Sequence, residues 1–294
     1  MITDRQDQTN SPWRGETLHE VVDVIRQVHG VDVSCYEESF LVKSLEKRRQ
    51  ATAVGTAAGY IAHLAQERTE AEALCRSLRI SYSEFFRSPL DFALLEQFIL
   101  PDLVEKSVRK NCSELRVWSA GCATGEEAWS VAILLDEMAS AREHAVPFRI
   151  FATDRLDAQL AFARKGVYGA STLGNVRLRH LQRGFSQQGE SFAVVPRIKA
   201  RVDFSAYDLL DKHTSCPPAS IYGHFDLVVC CNVLLYYRQP AKRFILNKVG
   251  GCLASGRYLM IGETERQIVE DMDGFRSVNS PASLYQRIRE TAEG

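Results

Sequence analysis

The chain has 294 residues, of which 45% are hydrophobic and 25% are charged. This composition excludes a disordered or collagen-like chain, and the length predicts about two domains. With 36 basic and 37 acidic side chains the formal net charge is -1, so no global field would attract nucleic acid or an anionic membrane. The first fifteen residues are polar, and no apolar run approaches the ~18 residues that span a bilayer. We therefore expect a soluble, unexported protein.

Residues 16 to 79 carry apolar side chains at helical spacing, in four successive groups. This periodicity predicts a small bundle of about four short helices. A longer amphipathic pattern follows, from Leu94 to Val104, and predicts one long helix. We expect a polar tail over residues 1–15, a helical domain over 16–80, and a linker segment with the long helix over 81–110.

From residue 111 onward, short apolar runs alternate with helical patterns. This alternation indicates an α/β domain over residues 111–294, built on a mainly parallel sheet. The strand-like runs are 115–119, 148–153, 225–230 and 258–261. Two further strands, 275–277 and 284–288, are joined by a turn and predict an antiparallel edge.

An insertion interrupts this pattern over about residues 175–204. Two short runs, 191–195 and 198–204, flank Pro196 there and predict a small hairpin. Eight cysteines are scattered along the whole chain without a C-x-x-C pair, and the seven histidines stand singly. We therefore expect reduced, buried thiols and no bound metal.

The most informative stretch runs from Val117 to Glu127, where a strand leads through small residues into a helix. Gly121 and Gly125 predict a sharp turn that lets a ligand approach the main chain, although two glycines also suit a tight βα turn without a ligand. Glu126 and Glu127 at the helix start would repel a phosphate and favour a cation such as an amino group or a sulfonium. Alternatively, the two acids only favour the positive end of the helix dipole.

Two more polar side chains end strands that we expect next to this one. Asp154 ends the second strand, where nucleoside-binding folds place a carboxylate that holds ribose hydroxyls. Asn232 follows the buried run 225–230, and its amide both donates and accepts hydrogen bonds. A lone Asn also caps helices, but its register with the other two strand ends favours a binding role. The spacing of Gly121 and Gly125 does not match G-x-G-x-x-G, which argues against a nicotinamide oxidoreductase.

With these segments the sequence resembles the CheR family of chemotaxis receptor methyltransferases, which use S-adenosylmethionine (SAM) to methylate glutamate side chains of chemoreceptors. The matching segments are SYSEFFR at 81–87, 117–130, 151–154, 202–210, 226–237 and GETE at 262–265, and the resemblance covers about residues 16–290. It implies a class I SAM-dependent methyltransferase domain with a Rossmann-like, mainly parallel seven-stranded sheet. It also implies an N-terminal all-α domain and a small β-subdomain over about 175–204.

The resemblance also implies roles for individual residues. Arg87, which would pair with the methionine carboxylate, and Tyr236, near the transferred methyl, are the candidate catalytic residues. The implied cofactor-binding residues are Ser81, Ser83, Arg87, Glu127, Asp154, Asp208, Leu209, Asn232 and Val233. The family usually has Asn and Thr at Ser81 and Ser83, Pro at Ala128, Asn at Asp208, and Arg at Cys231. A CheR-like regulatory module that binds SAM with weak or no turnover is therefore the alternative to an active enzyme.

A partner surface is predicted on the helix over residues 40–52. This stretch carries several basic residues against a single acid. The resemblance implies that Lys43, Lys47 and Arg48 dock acidic receptor helices. Alternatively, the basic residues only form a solvated helix face, as most such runs do. In the family, the β-subdomain can add a strand from a receptor's C-terminal tail, for which residues 191–204 would offer an edge. The cytoplasmic part of a chemoreceptor is thus the expected partner, and the cytoplasm the expected location.

Overall fold

A computed structural model describes residues 12–13, 15–78, 82–109, 114–140, 146–220 and 223–288. The chain divides by its contacts into two compact units. Unit 1 comprises Met1–Ile80 together with Tyr236–Ala241, and unit 2 comprises Ser81–Leu235 together with Lys242–Gly294. Within the described ranges, no helix combines the length and the apolar character that crossing a bilayer requires.

Unit 1 contains the four predicted helices: α1 (Glu16–His29), α2 (Glu38–Ala51), α3 (Ala57–Gln66) and α4 (Arg68–Ser77). Helix α1 ends at Gly30, which adopts the left-handed conformation at φ 70°. Helix α3 begins after Thr56, whose hydroxyl accepts a hydrogen bond from the Gly59 N–H at 3.1 Å. The apolar stripes meet in one core around Ile25, Leu45 and other buried side chains. The predicted helical bundle is therefore confirmed.

The segment Tyr236–Ala241 belongs to unit 1 although it lies far along the chain. Tyr237 forms an antiparallel bridge with Tyr36, and their rings stack with centroids 5.2 Å apart. The Tyr236 ring packs on Phe40 with centroids 5.0 Å apart. This segment falls inside the range 111–294 that the sequence assigns to the second domain, because aromatic packing between distant segments leaves no periodic signal.

Unit 2 contains ten strands and eight α-helices in the described part of the chain, and one of these helices begins within the segment Tyr236–Ala241 of unit 1. The strands are β1 (Leu115–Ala120), β2 (Phe148–Asp154), β3 (Val167–Gly169), β4 (Phe185–Gln188), β5 (Ser191–Val194), β6 (Val202–Ala206), β7 (Phe225–Cys230), β8 (Leu253–Ile261), β9 (Phe275–Ser277) and β10 (Leu284–Arg287). The helices are α5 (Pro89–Leu94), α6 (Leu100–Arg109), α7 (Glu126–Ser140), α8 (Asp157–Lys165), α9 (Leu178–Gly184), α10 (Pro196–Lys199), α11 (Gln239–Cys252) and α12 (Arg266–Glu270). A π-helical turn over Leu95–Ile99 joins α5 to α6.

Seven strands form the main sheet in the order β6-β2-β1-β7-β8-β10-β9. The first five run parallel, and β10 is antiparallel to both β8 and β9. The predicted parallel sheet with an antiparallel edge is confirmed. The chain order reverses between β1 and β7, and in open α/β sheets ligands bind at the carboxyl ends of the strands beside such a reversal.

The small β-subdomain differs from the predicted hairpin. Its three strands lie in the order β3-β5-β4, and all pairs are antiparallel. The predicted second strand, over residues 198–204, does not belong to it, because α10 occupies Pro196–Lys199 and β6 pairs with β2 in the main sheet. β5 is the central strand of this sheet and has a neighbour on each side. The prediction that residues 191–204 offer a free edge of the β-subdomain is therefore also wrong. The free edges of this sheet are β3 and β4.

Candidate functional site

The turn after β1 forms the floor of the candidate site. Gly121 and Gly125 adopt φ values of +79° and +94°, which strongly favour glycine. A Cβ atom on Gly121 would lie 2.6 Å from Cγ2 of Val233, so the turn packs directly against the segment that follows β7. The Gly121 and Cys122 N–H groups both donate to the Thr153 carbonyl, at 2.8 and 2.9 Å. The ends of β1, β2 and β7 are therefore joined at this turn.

Glu127 lies in the first turn of α7, immediately after the glycines. The Ser119 hydroxyl donates to its Oε1 at 2.7 Å, and the Cys231 thiol also hydrogen-bonds to the carboxylate. Burial raises the pKa of Glu127 to about 7, and the charge of Glu265 adds to the shift. A ligand with a positive charge would restore the ionised form, so this position suits an ammonium group.

Asp154 ends β2, and its two carboxylate oxygens are held by the backbone. Oδ2 accepts from the Ala123 N–H at 3.0 Å, and Oδ1 accepts from the Leu156 N–H at 2.9 Å. Burial raises its pKa, although these hydrogen bonds oppose the shift. Each oxygen has a second lone pair to accept from a hydroxyl group, as a ribose diol requires.

Asn232 follows β7 in the left-handed conformation, at φ +61°. The buried carboxylate of Glu265 fixes this conformation. Its Oε2 accepts from the N–H groups of Asn232 and Gly262, both at 2.9 Å, and its Oε1 accepts from the Leu234 N–H at 2.6 Å. Glu265 lies within the matching segment GETE, but no role was predicted for it from the sequence. The feature of the sequence that could have indicated its role is the position of this carboxylate, four residues after a buried strand.

Asp208 and Leu209 lie just beyond the end of β6. The Tyr207 N–H donates to the Asp154 carbonyl at 3.0 Å, which brings this segment beside the end of β2. Leu209 is buried, and Asp208 is exposed with Oδ1 accepting from the Leu210 N–H at 2.9 Å. The pair thus offers an apolar surface and a carboxylate, which agrees in chemistry with an adenine subsite.

The segment before α5 is anchored to the first turn of α7. The Phe86 N–H donates to the Ser130 hydroxyl at 3.1 Å, and that hydroxyl donates to the Glu126 carbonyl at 2.7 Å. Ser83 hydrogen-bonds to the Glu126 carboxylate. Arg87 is exposed, with its guanidinium carbon 5.3 Å from the centroid of the Tyr82 ring. Ser81 lies outside the described residues.

The chemistry of these groups fits SAM. Two carboxylates, Glu127 and Asp154, match an ammonium group and a ribose diol, while Asn232 supplies both a donor and an acceptor. A Cβ at Gly121 would clash with Val233, so glycine at this position keeps the turn after β1 packed against the segment that follows β7. Glu126 and Glu127 at the start of α7 oppose a phosphate. This arrangement, on the observed strand order, defines the fold class of the class I SAM-dependent methyltransferases.

A match to a family model identifies the family, and two relatives agree with it. Residues 81–284 match the family "CheR methyltransferase, SAM binding domain". The chain is 35% identical over 185 residues to "Chemotaxis protein methyltransferase 1" of Pseudomonas aeruginosa, which covers 62% of this chain and 64% of that protein. It is 28% identical over 258 residues to "Chemotaxis protein methyltransferase" of Listeria innocua, and this match covers 87% of this chain and 92% of that protein. The chain belongs to the CheR methyltransferase family, and SAM is the cofactor of its α/β domain.

Coverage differs among the relatives. The chain is also 29% identical over 274 residues to "Uncharacterized 104.1 kDa protein in hypE 3'region" of Rhodobacter capsulatus. That match takes in 93% of this chain but only 28% of the relative. The chain thus spans less than two thirds of the length of this relative and of the Pseudomonas aeruginosa protein.

The three predicted docking residues on α2 differ in their surroundings. Lys43 and Lys47 are exposed. Arg48 instead forms a bidentate ion pair with Glu70, at 2.9 and 2.5 Å, and its side chain is 26% exposed against 7% for Glu70. The Tyr60 hydroxyl donates to the same carboxylate at 2.6 Å. Arg48 therefore stabilises the helical core, and its role in docking stays a prediction.

Proposed function

We propose that this protein transfers the methyl group of SAM to glutamate side chains of chemoreceptors, giving glutamate methyl esters and S-adenosylhomocysteine (SAH). The observation that carries the proposal is the meeting of Glu127, Asp154 and the Asn232 segment at one edge of the sheet, in a chain of the CheR family. The names of the chemotaxis methyltransferases that it resembles support the chemoreceptor as the substrate. The cytoplasm is the corresponding location.

Each cofactor-binding residue has a role that its chemistry suits. Glu127 binds the ammonium group of SAM, and Arg87 pairs with the carboxylate through its planar guanidinium. Asp154 holds the ribose hydroxyls. Asn232 and Val233 line the remaining edge of the cofactor, Asp208 and Leu209 contact the adenine, and Ser81 and Ser83 complete the site from the segment before α5.

The chemistry needs no general base. A glutamate carboxylate, with a pKa of ~4.3, is already ionised at neutral pH. When bound, SAM supplies an electrophilic methyl group, and the carboxylate oxygen that takes it becomes an ester while the sulfur keeps the electron pair of the broken bond. The protein contributes alignment, for which orientation alone can supply roughly 7–11 kcal/mol. Tyr236 positions the reacting groups without exchanging a proton.

Two surfaces are proposed for the receptor. The exposed side chains of Lys43 and Lys47 on α2 attract acidic receptor helices. A receptor tail peptide is proposed to add a strand to the β-subdomain, at the free edge of β4 or β3 rather than at β5. Main-chain hydrogen bonds at such an edge would tether the substrate.

The test is transfer of a radiolabelled methyl group to the cytoplasmic fragment of a chemoreceptor. A glutamate ester releases its label as methanol in base, whereas methylated amines keep it. A receptor fragment whose methylated glutamates are replaced by alanine is the control for the substrate. The Glu127→Gln protein should transfer less label, because it binds SAM more weakly. Base-stable label would contradict the ester. SAH binding without transfer to any receptor fragment would support the regulatory module instead.

A further inference from the structure

Two cysteines that are 36 residues apart in sequence meet at one place in unit 2. The Sγ atoms of Cys216 and Cys252 lie 3.0 Å apart, and both residues are free thiols in this structure. Two non-bonded sulfur atoms normally stay farther apart, so only a small displacement separates this pair from bonding distance.

The two thiols differ in accessibility. Cys216 is partly exposed, whereas Cys252 is buried. Burial raises the pKa of the Cys252 thiol, while the nearby ammonium of Lys248 opposes that shift. The Cys252 Sγ also donates to the Ser215 carbonyl at 3.0 Å, which holds it toward the chain that carries Cys216. An external reagent would thus reach Cys216 first.

The pair joins a loop to the main sheet. Cys216 lies in the connection between β6 and β7, and Cys252 ends α11, where β8 begins. Lys248 on α11 donates through Nζ to the Asp211 carbonyl of the same loop. The connection begins with the segment that carries Asp208, so a covalent bond at Cys216 would restrain the loop beyond the proposed adenine subsite.

We propose that Cys216 and Cys252 form a thiol modification site, at which a low-molecular-weight disulfide converts the pair into an intramolecular disulfide that restrains the loop between β6 and β7. The Cys216 thiolate attacks one sulfur of the small disulfide, which gives a mixed disulfide and releases one small thiol. The Cys252 thiolate then attacks the Cys216 sulfur and releases the second small thiol. The two protein thiols are oxidised, the small disulfide is reduced to two thiols, and the two protons pass to the released thiolates.

The experiment incubates the full chain with mixtures of reduced and oxidised glutathione and maps its cysteines by mass spectrometry after alkylation and digestion. We expect a peptide that links Cys216 to Cys252, the loss of two of the eight thiols, and return of both on reduction. Cys216→Ser and Cys252→Ser should each abolish the linked peptide, whereas Cys75→Ser, in unit 1, should retain it. Free thiols at both positions, or glutathione that persists on Cys216, would overturn the proposal.

Hydrogen exchange on the wild-type chain tests the loop restraint without any variant. Backbone amides over residues 208–220 should exchange more slowly in the oxidised form than in the reduced form. The hairpin of β4 and β5 is the internal control and should not change. Equal exchange of the loop in both forms would refute the restraint even if the disulfide forms.

Discussion

The pKa of Glu127 gives a quantitative prediction for cofactor binding. The carboxyl of the free site titrates at about 7 because it is buried. Only its ionised form attracts an ammonium group, so the affinity for SAH should fall as the pH decreases through 7. With a pKa of about 7, roughly three quarters of the sites are ionised at pH 7.5 and roughly one tenth at pH 6, which predicts about 8-fold weaker binding at pH 6.

Isothermal titration calorimetry with SAH over this range measures the effect. An α-amino group with a pKa of ~7.7–8.0 is mostly protonated at pH 7.5 and almost fully protonated at pH 6, so titration of the ligand would strengthen binding at pH 6 and opposes the predicted trend. At pH 6, binding should release nearly one proton, which titrations in two buffers of different ionisation enthalpy detect. Glu127→Gln should weaken binding at pH 7.5 by roughly 2 kcal/mol, about 30-fold, and abolish the pH dependence.

Glu137→Gln is the matched control, because burial also raises the pKa of this carboxyl of α7, but it lies near the other end of the helix, beside Arg179 and His180. Its pH profile should follow the wild type. A flat affinity profile without proton release, or a Glu127→Gln protein that keeps the wild-type profile, would refute the electrostatic role of Glu127.

The other predictions concern the loops and α2. Glu265→Gln presents an NH₂ group to the Leu234 N–H and should lower the free energy of unfolding by about 1–3 kcal/mol. The measurements are Tm, which should fall by roughly 2–4 °C per kcal/mol, and SAH binding, which should weaken. An unchanged Tm would contradict the support that we assign to Glu265. Gly121→Ala should weaken SAH binding at least about 10-fold while the protein stays folded by circular dichroism, because left-handed alanine costs about 1–2 kcal/mol and its Cβ displaces Val233. Arg48→Met should destabilise unit 1 by about 3–5 kcal/mol in urea unfolding, because it leaves Glu70 buried without its cation. Lys47→Glu should instead raise the KM for the receptor with stability and SAH affinity unchanged, and a similar loss of stability in both α2 variants would argue against this division of roles.

The sequence predicted those parts of the site that follow from topology. Parallel strands end at one edge of a sheet, so Asp154 and the Asn232 segment had to approach the glycine turn once the strands were recognised. The resemblance to SAM-dependent methyltransferases was recognisable for the same reason, because the residues expected to bind SAM occupy short segments next to strands. The four helices of unit 1 were predictable because each has its own apolar stripe.

Contacts between distant segments were not predictable from periodicity. Glu265 acts through backbone N–H groups that carry no side-chain signal, and Arg48 has a partner, Glu70, on another helix. The pair of Cys216 and Cys252 likewise depends on the connection after β6 folding back to the start of β8. The hairpin over residues 191–204 was misplaced because Pro196 begins a short helix there, and a short apolar run does not reveal which sheet it joins.

Cys231 shows how one substitution affects the chemistry of the whole site. The family resemblance leads us to expect Arg at this position, which would place a permanent cation near Glu127. The thiol present here donates a hydrogen bond to that carboxylate but carries no positive charge, and burial raises its own pKa well above the ordinary value. The pKa of Glu127 therefore stays near 7 until a cationic ligand arrives. An ammonium group that binds there both completes the ion pair and ionises the carboxyl, so in this chain the strength of cofactor binding depends on pH within the neutral range.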